Sequence, residues 1–284
     1  MTVRTESPTT REMATGEAAA PGPRRGRARR WLMWLWTLGV AAGAIGAWEG
    51  AVALFQIPHW KLPAPSAVAT ELVLGRGLLL RHTWVTAQEV LIGCAAALAL
   101  GVLVAVLIAY SRTFQRLVYP LVIASQAIPI IVIAPLLLIW VGYGLAPKII
   151  IVVLIAFFPI VVNTVDGLQA VDPDMVSLMR TLGASRWQLF RKVQVPMSLP
   201  YLFSGLKIAV TVSVIGAVIG EWVGANAGLG YLTKISVPLF QTARSFAAIV
   251  ILGTMGVGLF LAVALLERLM LPWHHTARRR QALE

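Results

Sequence analysis

The feature that most constrains this chain is a series of long apolar runs. Six of them, at about 31–55, 86–110, 119–141, 148–165, 201–222 and 245–266, carry at most two charged residues each. A run of about twenty apolar residues crosses hydrocarbon as a helix, because in lipid every backbone polar group must be satisfied within its own segment. The chain is therefore read as all-α, a polytopic membrane protein with six transmembrane helices. Composition agrees: 58% hydrophobic residues, 13% charged residues and a mean hydropathy of +0.79 exclude an ordinary soluble domain.

The net charge of +12 invites a nucleic-acid reading, but the placement of the charges points elsewhere. With six spans, the segments 1–30, 111–118, 163–199 and 267–284 fall on one side, and together they hold 17 of the 24 Lys and Arg residues. By the positive-inside rule that side, with both termini, is cytoplasmic, and no nucleic acid is needed to explain the charge. Residues 1–30 read as a disordered basic tail ending in Arg24, Arg25, Arg27, Arg29 and Arg30, and 271–284 as a second basic tail. The first apolar run is too long for a cleaved signal peptide and lacks a clear cleavage site. The lone Cys94, inside an apolar run, forms no internal disulfide and reads as a small apolar filler.

Residues 171–200 (VDPDMVSLMRTLGASRWQLFRKVQVPMSLP) form the long inter-span stretch that reads as folded and helical. Asp172 followed by Pro173 is a helix start, and Val176, Met179 and Leu182 recur on one face. Gly183-Ala184 ends that helix, Ser185 caps a second, and Pro196 and Pro200 punctuate its exit. The pattern alone also fits an amphipathic element lying on lipid.

The chain holds no phosphate-cradling G-x-x-x-x-G-K-[ST] loop, no H-E-x-x-H, no paired C-x-x-C and no G-x-S-x-G elbow. We therefore expect no catalytic residue, no metal site and no cofactor on this chain; the His274-His275 pair reads as solvated tail. Intramembrane polar residues are costly unless they face a pathway or a partner, which makes Gln126, Asn163, Ser213 and Glu221 pathway candidates. The competing reading for Ser213 and Thr211 is a hydroxyl bonded back to its own helix, and for Gln126 and Asn163 a bridge between helices. Glu49, Glu89 and Glu221 fall near the outer interface; with Gly216 and Gly220 just before it, Glu221 fits either a dimer contact or a gate. Pro129, Pro135 and Pro159 are expected to bend spans three and four.

Gly183, nine residues, then Val193-Gln194-Val195-Pro196 resembles the cytoplasmic signature of ABC-importer permeases, EAA-x3-G-x9-I-x-L-P. Ser177-Leu178-Met179 stand where that signature has Glu-Ala-Ala. From about Leu62 onward the chain is similar to the binding-protein-dependent branch that serves nitrate, sulfonates and taurine, through 62–66 (LPAPS), 180–185 (RTLGAS) and 203–207 (FSGLK). Residues 163–167 (NTVDG) and 218–231 (VIGEWVGANAGLGY) are most similar to permeases for thiamine-precursor pyrimidines or riboflavin. The resemblance implies a type I importer permease in a bacterial inner membrane. It further implies a homodimer with two ATPase subunits that carry ATP and Mg, and an external solute-binding protein. It makes 171–200 the coupling-helix loop: Asp172, Val176, Met179, Leu182, Gly183, Ala184 and Pro196 would serve ATPase coupling, with Val176, Met179 and Leu182 entering the ATPase cleft. The rival classes are an ion-gradient-driven secondary transporter, which should carry midplane ionisable residues and internal repeats, and a non-transporting membrane scaffold.

Overall fold

The computed structural model describes residues 25–272, with side chains from Leu35 onward. Residues 1–24, His274-His275 and the rest of the C-terminal tail lie outside the described residues. The described chain is helical, with no strand among the described residues. It divides into two units, Met1–Gly50 and Ala51–Glu284. The first helix, α1 (Arg25–Leu54), starts at Arg25 rather than at Trp31, so residues 25–30 are helical instead of part of a disordered tail.

In the second unit the order is α2 (Pro65–Leu74), α3 (Arg76–Tyr110), α4 (Arg112–Ala124), α5 (Ile130–Val141) and α6 (Leu145–Gln169). There follow α7 (Pro173–Thr181), α8 (Arg186–Leu189), α9 (Val195–Gly224), α10 (Leu229–Ser236) and α11 (Thr242–Met270). Helices α6 and α9 form the central pair; α3 packs on α6, α11 on α9, and α2 and α10 on α11. Small residues set these distances. A Cβ at Gly93 or Gly101 of α3 would meet Val152 or Ile160 of α6 at 2.5 and 2.7 Å, and one at Gly205 of α9 would meet the Pro159 carbonyl at 2.6 Å. Where lipid removes the usual hydrophobic drive, such close backbone approach supplies the packing. Gly216 and Gly220 serve the same α6–α9 contact, against Val152 and Lys148, rather than a dimer seam.

Among the described residues five helices are long and apolar enough to cross a membrane, or six where the bent α4–α5 pair counts as one broken span. Span three is not continuous: after a 3-10 turn at Ser125–Ala127 the chain bends by 101° into α5. Pro129, extended at ψ 120°, heads α5, where its missing N–H costs nothing. Conversely, Pro196 and Pro200 do not end a helix. Residues 186–224 run as one 39-residue helix, because a π-helical turn at Phe190–Gln194 absorbs the proline, Val195 N–H reaching back to Phe190 O. Segments between the apolar runs also hold structure: α3 starts at Arg76, ahead of its apolar run, and α10 sits within the segment 223–244.

Candidate functional site

The loop between α6 and α9 is built as two locked turns. The Asp172 side chain accepts the Asp174 N–H at 2.8 Å and caps α7; Gly183 closes it at φ 78°, a left-handed conformation that favours glycine. Ser185 and Gln188 form a reciprocal capping box at the start of α8, with bonds of 2.8 and 3.2 Å. The face this presents differs from the expected one. Val176 and Met179 are half-buried, whereas Met175, Leu178 and Leu182 are exposed at 45, 56 and 73%. Trp187, also exposed, stacks on Phe190 at 5.6 Å. The open apolar residues of this loop are therefore Met175, Leu178 and Leu182 on α7 and Trp187 on α8, and the loop also carries Arg180, Arg186, Arg191 and Lys192. Ala184 is half-buried at the turn, and Pro196 lies inside the long helix.

At the opposite end of α9, three side chains hold the four leading backbone N–H groups at the start of α10. A helix N-terminus leaves its leading backbone N–H groups without partners. Here Gly228 N–H is taken by His82 Nδ1 at 2.9 Å and Leu229 N–H by Thr86 Oγ1 at 2.8 Å. Glu221 Oε2 accepts the Gly230 and Tyr231 N–H groups at 2.5 and 3.1 Å, and its Oε1 accepts the Thr86 hydroxyl at 2.6 Å. The His82 ring stacks on Tyr231, and Gly228, at φ 122°, has no room for a Cβ, which would overlap the Glu221 carboxylate. One turn further along α3, Glu89 accepts Lys148 Nζ of α6 at 2.6 Å, and neither side chain is more than 10% exposed. Glu89 and Glu221 are fully buried within the protein. Their carboxylates are tolerated because each is bonded within the protomer. The contacts of Glu221 are internal to the chain, and they fix α10 to α3 and α9. The clamp was not legible beforehand, because α10 itself was not.

The other pathway candidates separate. Ser213 is buried and donates to Ala209 O at 2.7 Å, so it faces the helix interior. Asn163, half-buried, donates to Pro159 O at 2.8 Å beside Gly205. Gln126 is exposed at the α4–α5 bend. The open face of the otherwise packed α9 is a stripe of which the sequence reading singled out only Thr211: Ser204, Ile208, Thr211, Ile215 and Trp222, all exposed and at helical spacing on one side. The hydroxyls of Ser204 and Thr211 bond back to Pro200 O and Lys207 O. Lys207, the charge inside span five, is paired with Glu267 of α11 at 2.8 Å. No group of metal-ligating side chains occurs among the described residues.

Residues 97–272 match the family described as binding-protein-dependent transport system inner membrane component. The chain belongs to this family. It is a component of an ABC importer for small solutes, a multi-pass membrane permease and not an enzyme. Over 80% of its length it is 40% identical to the formylaminopyrimidine transport permease protein ThiX of Halalkalibacterium halodurans, covering 90% of that protein. It is 36% identical over 80% of its length to the riboflavin transport system permease protein RibX of Chloroflexus aurantiacus, covering 85% of it. The taurine transport permease TauC of Escherichia coli is 26% identical over 86% of this chain and 94% of its own. Among solved structures, an inward-facing MetNI methionine ABC transporter chain aligns with TM-score 0.54 at 24% identity, over 66% of this chain and 97% of that one. An amino acid ABC transporter solved with histidines aligns at TM-score 0.55 and 20% identity, over 71% and 96%. These two likenesses speak for the fold alone.

Proposed function

We propose that two copies of this chain form the pathway of an ATP-driven importer for a small nitrogen-heteroaromatic solute, of the pyrimidine or flavin kind. A separate ATPase, carrying ATP and Mg, docks on the 171–200 loop from the cytoplasm, and an external binding protein delivers the solute at the Glu221 end. Both termini then lie in the cytoplasm. The observation that carries the reading is the exposed apolar stripe Met175–Leu178–Leu182, held on a capped helix and a left-handed glycine turn. An apolar face this open, on a loop that also carries basic residues and is rigid at both ends, suits insertion into a protein cleft better than a mobile loop would.

The fold also supplies the transmission. Helices α8 and α9 run as one 39-residue rod from the loop to the α10 clamp, about 58 Å at 1.5 Å per residue. A displacement of the loop therefore reaches the far end as a rigid movement of α9 that carries α10 with it. The ionisable groups inside the spans, Glu89, Lys148, Lys207 and Glu221, are each bonded to a partner within the protomer. Glu89 keeps one buried carboxylate oxygen without a partner, so the preference for an ATP-driven importer over a secondary transporter rests on the family.

Crosslinking in native membranes followed by pull-down and mass spectrometry tests the reading. It should recover an ATPase chain with a phosphate-cradling loop, together with an exported binding protein. Recovery of the chain with neither would overturn it.

A further inference from the structure

A cavity of about 470 Å³ opens between the ends of α9, α10 and α11, lined by Val218, Trp222, Thr233, Lys234, Ser245 and Leu252 with two further aliphatic side chains. Trp222 belongs to the open face of α9 that also carries Ser204 and Thr211, so the cavity sits at one end of that face. Its polar groups are few and specific. Ser245 Oγ is buried, the residue only 3% exposed, and has no hydrogen-bond partner. A buried hydroxyl without a partner is costly, and here it borders a cavity. Lys234 Nζ, on the rim, donates one hydrogen bond to Trp222 O at 2.5 Å. An ammonium has three N–H donors, so two more are available. Thr233 Oγ1 is already committed to Gly230 O at 2.6 Å and to Trp222 Nε1 at 3.4 Å.

We infer that this cavity is a solute subsite for a flat nitrogen-heteroaromatic molecule bearing a carbonyl or ring acceptor along one edge. The inference rests on the importer reading above and adds to it a place on the chain where the solute stops. The indole and the aliphatic walls hold the flat face, while Ser245 and Lys234 meet the polar edge. The same clamp that fixes α10 fixes this wall: Thr233 and Lys234 lie on the helix whose first four N–H groups are held by His82, Thr86 and Glu221. A rigid-body movement of α9 with α10 against α11 would change the cavity's width, which gives the ATPase cycle a means of releasing what the cavity holds.

The test uses the full chain with its ATPase in lipid nanodiscs, with riboflavin and formylaminopyrimidine as probes. Riboflavin binding is read by quenching of its fluorescence, and formylaminopyrimidine by competition. Saturable binding is expected, weakened about tenfold by Ser245→Ala, the scale of one lost hydrogen bond. Trp222→Ala should weaken it further, and Trp222→Phe, which keeps a flat ring, should restore most of it. Equal affinity across these variants, or no saturable binding of either probe, overturns the subsite. So does quenching that vanishes when the nanodisc lipid is exchanged, since a lipid chain would then be the occupant. The two readings fail separately. ATP-driven uptake with unaltered pocket variants leaves the importer and removes the subsite; saturable, Trp222-dependent binding without ATP-driven uptake does the reverse.

Discussion

Glu221→Ala is the substitution that most sharply probes how this end of the molecule is held. It strips the acceptor from two backbone N–H groups, Gly230 and Tyr231, and from the Thr86 hydroxyl. A buried donor left without a partner costs about 1–3 kcal/mol. Thr86 can turn its hydroxyl to His82 O, 3.2 Å away, so the loss falls on the two N–H groups. Together they put the penalty at about 2–6 kcal/mol, or roughly thirty-fold to some twenty-five-thousand-fold in the opening of α10. Hydrogen exchange of a peptide covering 228–236 reads that opening directly, because exchange there requires the helix start to detach. Glu221→Gln should lose far less: its amide oxygen still accepts both N–H groups, and its NH2 can donate to Thr86, which already accepts from Leu229. The order expected is wild type, Gln, then Ala, with the peptides of α6 little changed. Unaltered exchange over 228–236 in Glu221→Ala would refute the clamp, and equal acceleration in every helix would show global loosening instead.

Other consequences follow from the same contacts. Gly183→Ala, forced into φ 78°, should destabilise the loop by about 1 kcal/mol and raise protease cleavage between 181 and 186 without changing membrane insertion. Gly228→Ala should be far worse, since its Cβ meets the Glu221 carboxylate, and should lower the thermal midpoint in detergent by several degrees. Lys207→Met alone strands Glu267 and should cost about 3 kcal/mol or more, whereas Lys207→Met with Glu267→Leu should recover most of it; a double variant no better than the single would rule out the pair.

Reading the chain residue by residue succeeded where the signal is local. Asp172-Pro173, Gly183 and Ser185 announce caps and a turn through their own backbone preferences, and each takes the expected role. The apolar runs likewise fall within α1, to within one residue, and within α3, the α4–α5 pair, α6, α9 and α11. What could not be read is set by contacts distant in sequence. Thr86 and Leu229 are 143 positions apart, and nothing near either one says that they bond. Nor does α10 carry a start signal of its own, because its caps come from α3 and α9. The exposed stripe of α7 was misjudged by one position, Met175 and Leu178 taking the open side where Val176 and Met179 were expected. Apolar residues occupy both faces of that short helix, and periodicity cannot tell which one the bundle covers. Pro196 misled for a related reason: it reads as a helix end unless a π-helical turn precedes it.

The measurement that tests the central claim most directly is uptake into liposomes holding this chain, its ATPase and the external binding protein, with Leu182→Asp in parallel. Accumulation that requires internal or external ATP on the ATPase side, is indifferent to ion gradients and is abolished by Leu182→Asp with the chain still inserted is the expected result. Accumulation that persists without ATP and follows a proton or sodium gradient would contradict the account.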